Sequence, residues 1–131
     1  MYMNLEVITE DIIKHYLSKN RIVFKSTQNR LSLPIINRLY KKMKNGIRFD
    51  DIKICDNLII DGHHRYISSL LAGFKIQTIN SHKTSATNIF EWDDIRFLDI
   101  EWDTKDKIQY LNELDAIFNK IPVEKIIEII K

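Results

Sequence analysis

The sequence predicts a small α/β (α+β) domain. Three observations carry this. Helical stretches with apolar residues at i, i+3, i+4 and i+7 alternate with short β-branched runs. One such run, Leu58-Ile59-Ile60, passes through Asp61-Gly62 directly into a helix. The 131 residues, 44% hydrophobic and 29% charged, suit one folded core over residues 1–131.

Thr9 is a plausible N-cap for a helix to Asn20, with Glu10 and Asp11 at the positive end of its dipole and Ile12, Ile13, Tyr16 and Leu17 on one face. Arg21 to Lys25, with Ile22, Val23 and Phe24, predicts a strand, and Ser26 to Ser32 a polar loop. Ser32-Leu33-Pro34 opens a second helix with the stripe Ile35, Ile36, Leu39, Tyr40 and Met43, ending at Gly46. Ile52–Ile54 and Leu58–Ile60 flank the turn pair Asp56-Asn57 and predict a hairpin. A helix with Ile67, Leu70, Leu71 and Phe74 follows, capped by Gly73, and Lys75 to Asn80 predicts a strand. Ser81 to Asn88 is a polar loop, and Arg96 to Ile100 predicts a strand between two Glu-Trp-Asp triplets. Thr104 caps a helix to Phe118 with the face Ile108, Leu111, Leu114 and Ile117. Pro122 begins a last helix, Val123 to Ile130.

Several classes are excluded. The one cysteine, Cys55, supports neither a disulfide framework nor a thiolate zinc site. The histidines, His15, His63, His64 and His82, lack HExxH spacing. No apolar run approaches the roughly 20 residues of a membrane span, and the N-terminus has no signal-peptide pattern, so the expectation is a cytoplasmic protein without membrane contact.

The net charge of +2 hides a split, about +6 over residues 1–75 and −4 over residues 76–131. Residues 12–49 hold ten basic side chains, among them Lys41, Lys42 and Lys44, and no acid. This run reads either as a surface for phosphates or as a face neutralised by the acidic half.

The junction Asp61-Gly62-His63-His64-Arg65 carries the most chemistry. A strand delivers the chain to a helix N-terminus whose free N–H groups favour phosphate. Gly62 permits close backbone approach, Arg65 can fork onto two phosphate oxygens, and His63 and His64 donate hydrogen bonds or move protons. Asp61 can hold Mg²⁺ or act as a base. The same residues have a structural reading, with Asp61 as a helix cap and His64 at the edge of the core.

Leu58 to Tyr66, followed by Ala72-Gly73, resembles the nucleotide-binding motif of the ParB/sulfiredoxin superfamily. The resemblance extends back through Phe24–Gln28, Met43-Lys44-Asn45-Gly46 and Ile52–Ile54, over roughly residues 20–80. It implies a small mixed sheet of the ParB/sulfiredoxin type within a core of about residues 20–100, with extra helices over 104–131, and a motif that holds phosphate. Sulfiredoxins carry a cysteine where His63 stands. Partition ParB proteins continue into a helix-turn-helix domain that this chain does not show. The free-serine kinases of the superfamily share Asp-Gly-His-His-Arg but use a glutamate base near the N-terminus, where only Glu6, Glu10 and Asp11 are acidic.

The resulting expectation is a ParB-like nuclease or nucleotide hydrolase, similar to effector modules of bacterial toxin systems. In it Asp61, His64 and Arg65 are catalytic, Gly62, His63, His64, Arg65, Gln28 and Arg30 hold phosphate, and Lys41, Lys42 and Lys44 attract nucleic acid. Alternatives are a CTP- or ATP-binding switch without turnover and a serine-kinase-like phosphotransferase. The acidic segment 91–106 is a candidate surface for a protein partner.

Overall fold

Helix α1 (Glu10–Lys19) begins where the Thr9 hydroxyl accepts the Ile12 N–H, and Ile13 turns into the core. Residues 7–131 are described in this computed structural model; Glu6 lies outside them. Strand β1 (Arg30–Ser32) runs straight into α2 (Leu33–Lys44), whose N-cap Ser32 accepts the Ile35 N–H and whose first turn holds Pro34. Strands β2 (Ile52–Cys55) and β3 (Leu58–Asp61) form the hairpin, with Asp56 at a φ of 53° in its turn. Helix α3 (His63–Ala72) follows Gly62 at once. Strand β4 (Thr78–Asn80), a 3₁₀ turn (Trp92–Asp94), β5 (Arg96–Leu98), α4 (Lys105–Asn119) and α5 (Val123–Ile129) complete the chain.

The fold is α/β, and its strands form two separate groups. One is a mixed sheet in the order β3-β2-β4, antiparallel then parallel, and the other is the parallel pair β1-β5. The predicted strand over residues 21–25 is reduced to a rung at Lys25, which exchanges backbone hydrogen bonds with Asn57 and Ile59 beside β3. Val23 points to solvent while Ile22 and Phe24 pack against the core, so the alternation of a strand is present, but among the described residues only Lys25 and Ser26 form bridges to a neighbouring segment. Just beyond it, the Ser26 hydroxyl holds both the N–H and the carbonyl of Gln28 and bends the chain. Part of the predicted loop is therefore β1, whose partner β5 lies 66 residues further on.

The main core joins α1, α2, α3 and both sheets through Ile13, Ile36, Ile52, Ile59, Ile67 and Phe97. Ser68 permits close packing of α3 on α2, its hydroxyl donating to the Ile36 carbonyl at 3.1 Å. A smaller cluster, Ile47, Ala116 and Ile126, fixes α4 and α5 beside the end of α2. The predicted apolar face of α4 is corrected here. Asn112 and Ala116 are its buried residues, whereas Leu114 and Ile117 point outward at 43% and 75% exposure. No helix among the described residues is long and apolar enough to cross a membrane.

Ile36→Ala, at a fully buried site, should cost about 2–5 kcal/mol in urea unfolding, and Ile117→Ala no more than about 0.5 kcal/mol. Equal effects would overturn this placement of α4.

Candidate functional site

The site begins with the backbone of Gly62. Its φ of +100° is a conformation that L side chains rarely adopt, and a Cβ there would lie 2.6 Å from Ile52 Cγ2. Only glycine lets β3 cross Ile52 and start α3 without an intervening loop. The first intrahelical bond runs from the Tyr66 N–H to the Gly62 carbonyl at 2.9 Å, and no side chain caps the helix. Asp61, expected as a possible cap, stands outside the helix with its carboxylate exposed.

The two histidines diverge. His63 is 2% exposed, and its Nε2 accepts the Thr27 N–H at 3.0 Å, while the Thr27 hydroxyl donates to the Ile59 carbonyl. The Nε2 of His64 accepts the Ser32 N–H at 2.9 Å, and its ring meets Trp102 edge-on. Accepting an N–H requires each Nε2 to be unprotonated, which places the proton of each neutral ring on Nδ1. Burial pushes both imidazoles down to about 4; for His64 the adjacent His63 ring and the Arg38 and Lys107 cations further disfavour protonation, and Asp103 opposes them. Both rings are therefore neutral pins on backbone segments near neutral pH. The expected phosphate contact from the His63 side chain is corrected, because that ring is enclosed in the core.

Arg65 donates through Nη1 to the carbonyls of Asp50 and Asp51 at 2.9 and 3.3 Å, and its Nη2 lies 3.7 Å from Asp61 Oδ2. One side of the guanidinium is thus anchored, and the other faces Asp61. Asp61, Gly62, His64 and Arg65 together line a cleft of about 330 Å³.

The opposite wall is helical. Arg38 and Lys42 come from α2, Asp103 from the segment just before α4, and Lys107, Asn112 and Asp115 from α4. Arg38 makes a two-point ion pair with Glu101, holding that carboxyl below its usual range, and also reaches Asp103 at 3.3 Å. Lys107 pairs with Asp103 at 3.2 Å and Lys42 with Asp115 at 2.7 Å. This α4 wall was missed in the sequence. Its signal is slight: Lys107, Leu111 and Asp115 recur at a spacing of four along α4, but Asp103 precedes the helix and no local pattern ties it to them.

Three expectations need correction. Gln28 and Arg30 line a separate, open depression with Asn88, Phe90 and Trp102, on the far side of His64 from the cleft. Lys42 is 4% exposed and locked to Asp115, so it is no part of a nucleic-acid surface. Lys41 donates to the Lys131 carbonyl, leaving Lys44 as the member of that trio with a solvent-facing side chain and no side-chain bond among the described residues. In the segment 91–106, Glu91 pairs with Lys25 at 2.8 Å and Glu101 and Asp103 with Arg38, so these carboxylates act within the chain.

Among the described residues, no group of three or more His, Cys, Asp or Glu side chains could hold a metal ion. Asp61 alone suits a Mg²⁺ that arrives on ligand phosphates, since such ions commonly use one or two protein carboxylates. No family model, curated protein or solved structure matches this chain.

Two outcomes are expected. Gly62→Ala should lose more than about 1–2 kcal/mol in urea unfolding, from the left-handed backbone plus the Ile52 overlap. Stability should also fall as pH drops from about 6.5 towards 4. In that window the unfolded imidazoles take up protons that the folded ones, depressed to about 4, do not. Glu10 and Glu101, also depressed, act below about 4.5. A urea midpoint that stays constant between pH 7 and 5 would contradict the neutral, buried assignment of the histidines.

Proposed function

We propose that the cleft binds the phosphate of a nucleotide and that the chain hydrolyses a phosphoester or phosphoanhydride bond there. The observation that carries this reading is the uncapped N-terminus of α3 beside Gly62, with the Arg65 guanidinium held next to it. Three N–H groups, those of His63, His64 and Arg65, precede the first helical bond. Together with the helix dipole and a guanidinium they favour a dianionic group.

The ligand is small. A cleft of about 330 Å³ is at the lower end of small-molecule sites and suits a mononucleotide better than a nucleic-acid strand. The buried position of Lys42 and the bonding of Lys41 point the same way, because they remove two cations from the expected polyanion surface. This favours the nucleotide-hydrolase branch of the ParB-like expectation over the nuclease branch.

Chemistry at the phosphate falls to Asp61 and Arg65. Asp61 is exposed at the mouth of the cleft and takes the proton from a water attacking phosphorus, while the leaving oxygen is protonated from solvent. Arg65 faces the charge that develops on the phosphoryl oxygens. A Mg²⁺ on the nucleotide, within reach of Asp61, would supply further neutralising charge. His64 positions the wall of the cleft; its Nε2 is committed to the Ser32 N–H.

A second reading, a nucleotide-binding switch without turnover, is favoured by one observation. Both histidines are occupied as backbone acceptors, which leaves Asp61 as the single titratable base at the phosphate end.

Incubation of the purified chain with ATP, CTP, DNA and RNA, with and without Mg²⁺, should release inorganic phosphate or a shortened nucleotide. Asp61→Ala should slow release by about 10²–10⁴-fold with nucleotide binding retained, and Arg65→Ala should weaken binding as well. Turnover indifferent to both substitutions would defeat the hydrolase reading. Binding without product would establish the switch.

A further inference from the structure

Phe49, which lines the Gly62–Arg65 cleft, also lines a separate depression of about 490 Å³. This second depression is basic and aromatic. Arg48, Lys75 and Lys120 line it together with Phe49, Phe74 and Phe118, and no carboxylate does. The three cations are exposed, and none has an ion pair or a side-chain hydrogen bond among the described residues. In this they differ from Arg38, Lys42 and Lys107, whose charges are met within the chain. The fold holds them together. Asn119, the last residue of α4, accepts the Arg48 N–H at 2.7 Å and donates to the Arg48 carbonyl at 3.0 Å, which fixes Arg48 near Lys120. Helices α3 and α4 end here, and about half a negative charge at each carbonyl end offsets part of the three cations; the balance stays positive.

An open sheet edge adjoins the depression. Gln77 also lines it, and β4 starts at the next residue. β4 is an outer strand in the order β3-β2-β4. The Gln77 carbonyl accepts the Ile52 N–H, and the Ser81 N–H donates to the Ile54 carbonyl, so residues 77, 79 and 81 face β2. Thr78 and Asn80 turn their N–H and carbonyl groups the other way, where they have no partner among the described residues. Ile79 adds a half-exposed apolar side chain between them. A peptide main chain carries the alternating donors and acceptors that complement such an edge, and a nucleic-acid strand does not. Three residues of edge are little on their own, so the neighbouring cations have to supply the rest of the attraction.

We infer that the β4 edge and the adjoining depression form one docking surface for an extended acidic segment of a partner protein. The segment adds a short strand beside Thr78 and Asn80, sets its carboxylates against Arg48, Lys75 and Lys120, and places one aromatic side chain among the phenylalanines. The free cations choose the sign of the partner, and the free edge chooses a peptide.

Fluorescence anisotropy of the full chain with a labelled short peptide, alternating glutamate with valine around one phenylalanine, tests this. The peptide should bind saturably, and more weakly in high salt. Arg48→Ala, Lys75→Ala and Lys120→Ala should each weaken binding by up to about fivefold, the worth of an exposed ion pair, and the triple variant by at least about tenfold. Lys44→Ala, whose lysine lies outside the depression, should leave it unchanged. The three side chains are exposed, so the urea midpoint of the triple variant should match that of the parent. Glutamine in place of glutamate should abolish binding. Of two peptides N-methylated at alternate amides in the two possible phases, the one whose methyl groups face β4 should bind at least about tenfold more weakly than the other. Equal binding of the glutamine peptide, equal binding of the two methylated phases, or indifference to the triple variant would overturn the proposal. So would the absence of saturable binding at millimolar peptide. A single-stranded DNA that displaces the peptide, and that itself loses affinity in the triple variant, would overturn it in favour of a nucleic-acid surface.

Discussion

The contact between Gly62 and Ile52 governs the arrangement of the cleft. A glycine with a φ of +100°, close enough to Ile52 that a Cβ would overlap its Cγ2, removes any loop between β3 and α3. The first turn of α3 then lies over the sheet, and its side chains reach three separate parts of the chain. His63 takes the N–H of Thr27, His64 takes that of Ser32, and Arg65 takes the carbonyls of Asp50 and Asp51. A displaced helix start would lose these attachments together. The site and the fold therefore share their cohesion here, and the histidines contribute as buried neutral acceptors, which is why burial dominates their titration.

The charge split along the chain acquires a structural meaning in the same way. Lys25, Arg38 and Lys42 in the acid-free run meet Glu91, Glu101, Asp103 and Asp115 in the acidic half. Lys14 donates to the carbonyls of Trp92 and Asp93. Much of the asymmetry is therefore pairing between early and late segments, which brings α4 and the segment before it against α2. The exposed pairs are weak individually, but Lys42–Asp115 is largely enclosed, and removing either partner would leave a charge without compensation. The cleft inherits this origin. Its walls carry four cations and three carboxylates, of which Arg38, Lys42 and Lys107 are paired with Asp103 or Asp115.

Local physics made several elements legible in the sequence. Thr9, Ser32 and Thr104 each accept the N–H three residues on, and the Asp56-Asn57 hairpin and the Gly73 cap rest on equally local geometry. The β1-β5 pair was not legible, because its two strands are three residues each and separated by dozens of positions, and neither has a periodicity long enough to register. The face of α4 was misread for a related reason. Its large apolar residues Leu114 and Ile117 obey helical spacing, yet the small cluster of Ile47, Ala116 and Ile126 and the Lys42–Asp115 pair set its rotation. At the site, Asp61 to Arg65 stood out as a motif, whereas the burial of His63 and the partners of Arg65 depend on Thr27, Asp50 and Asp51, which no local pattern connects to them.

These attachments also determine which residues report on function. Gly62, His63 and Arg65 hold the fold and the cleft at once, so a loss of activity on changing them has two physical sources. Asp61 is different, since its carboxylate is exposed and its one ionic contact is a loose one to Arg65. His63 also carries a cost: its Nε2 is committed to the Thr27 N–H, and its Nδ1 is enclosed with no partner among the described residues, so cohesion at the start of α3 comes with one unsatisfied polar atom. Asp61 is therefore the position in the Asp61–Arg65 run where a change in chemistry separates most cleanly from a change in architecture.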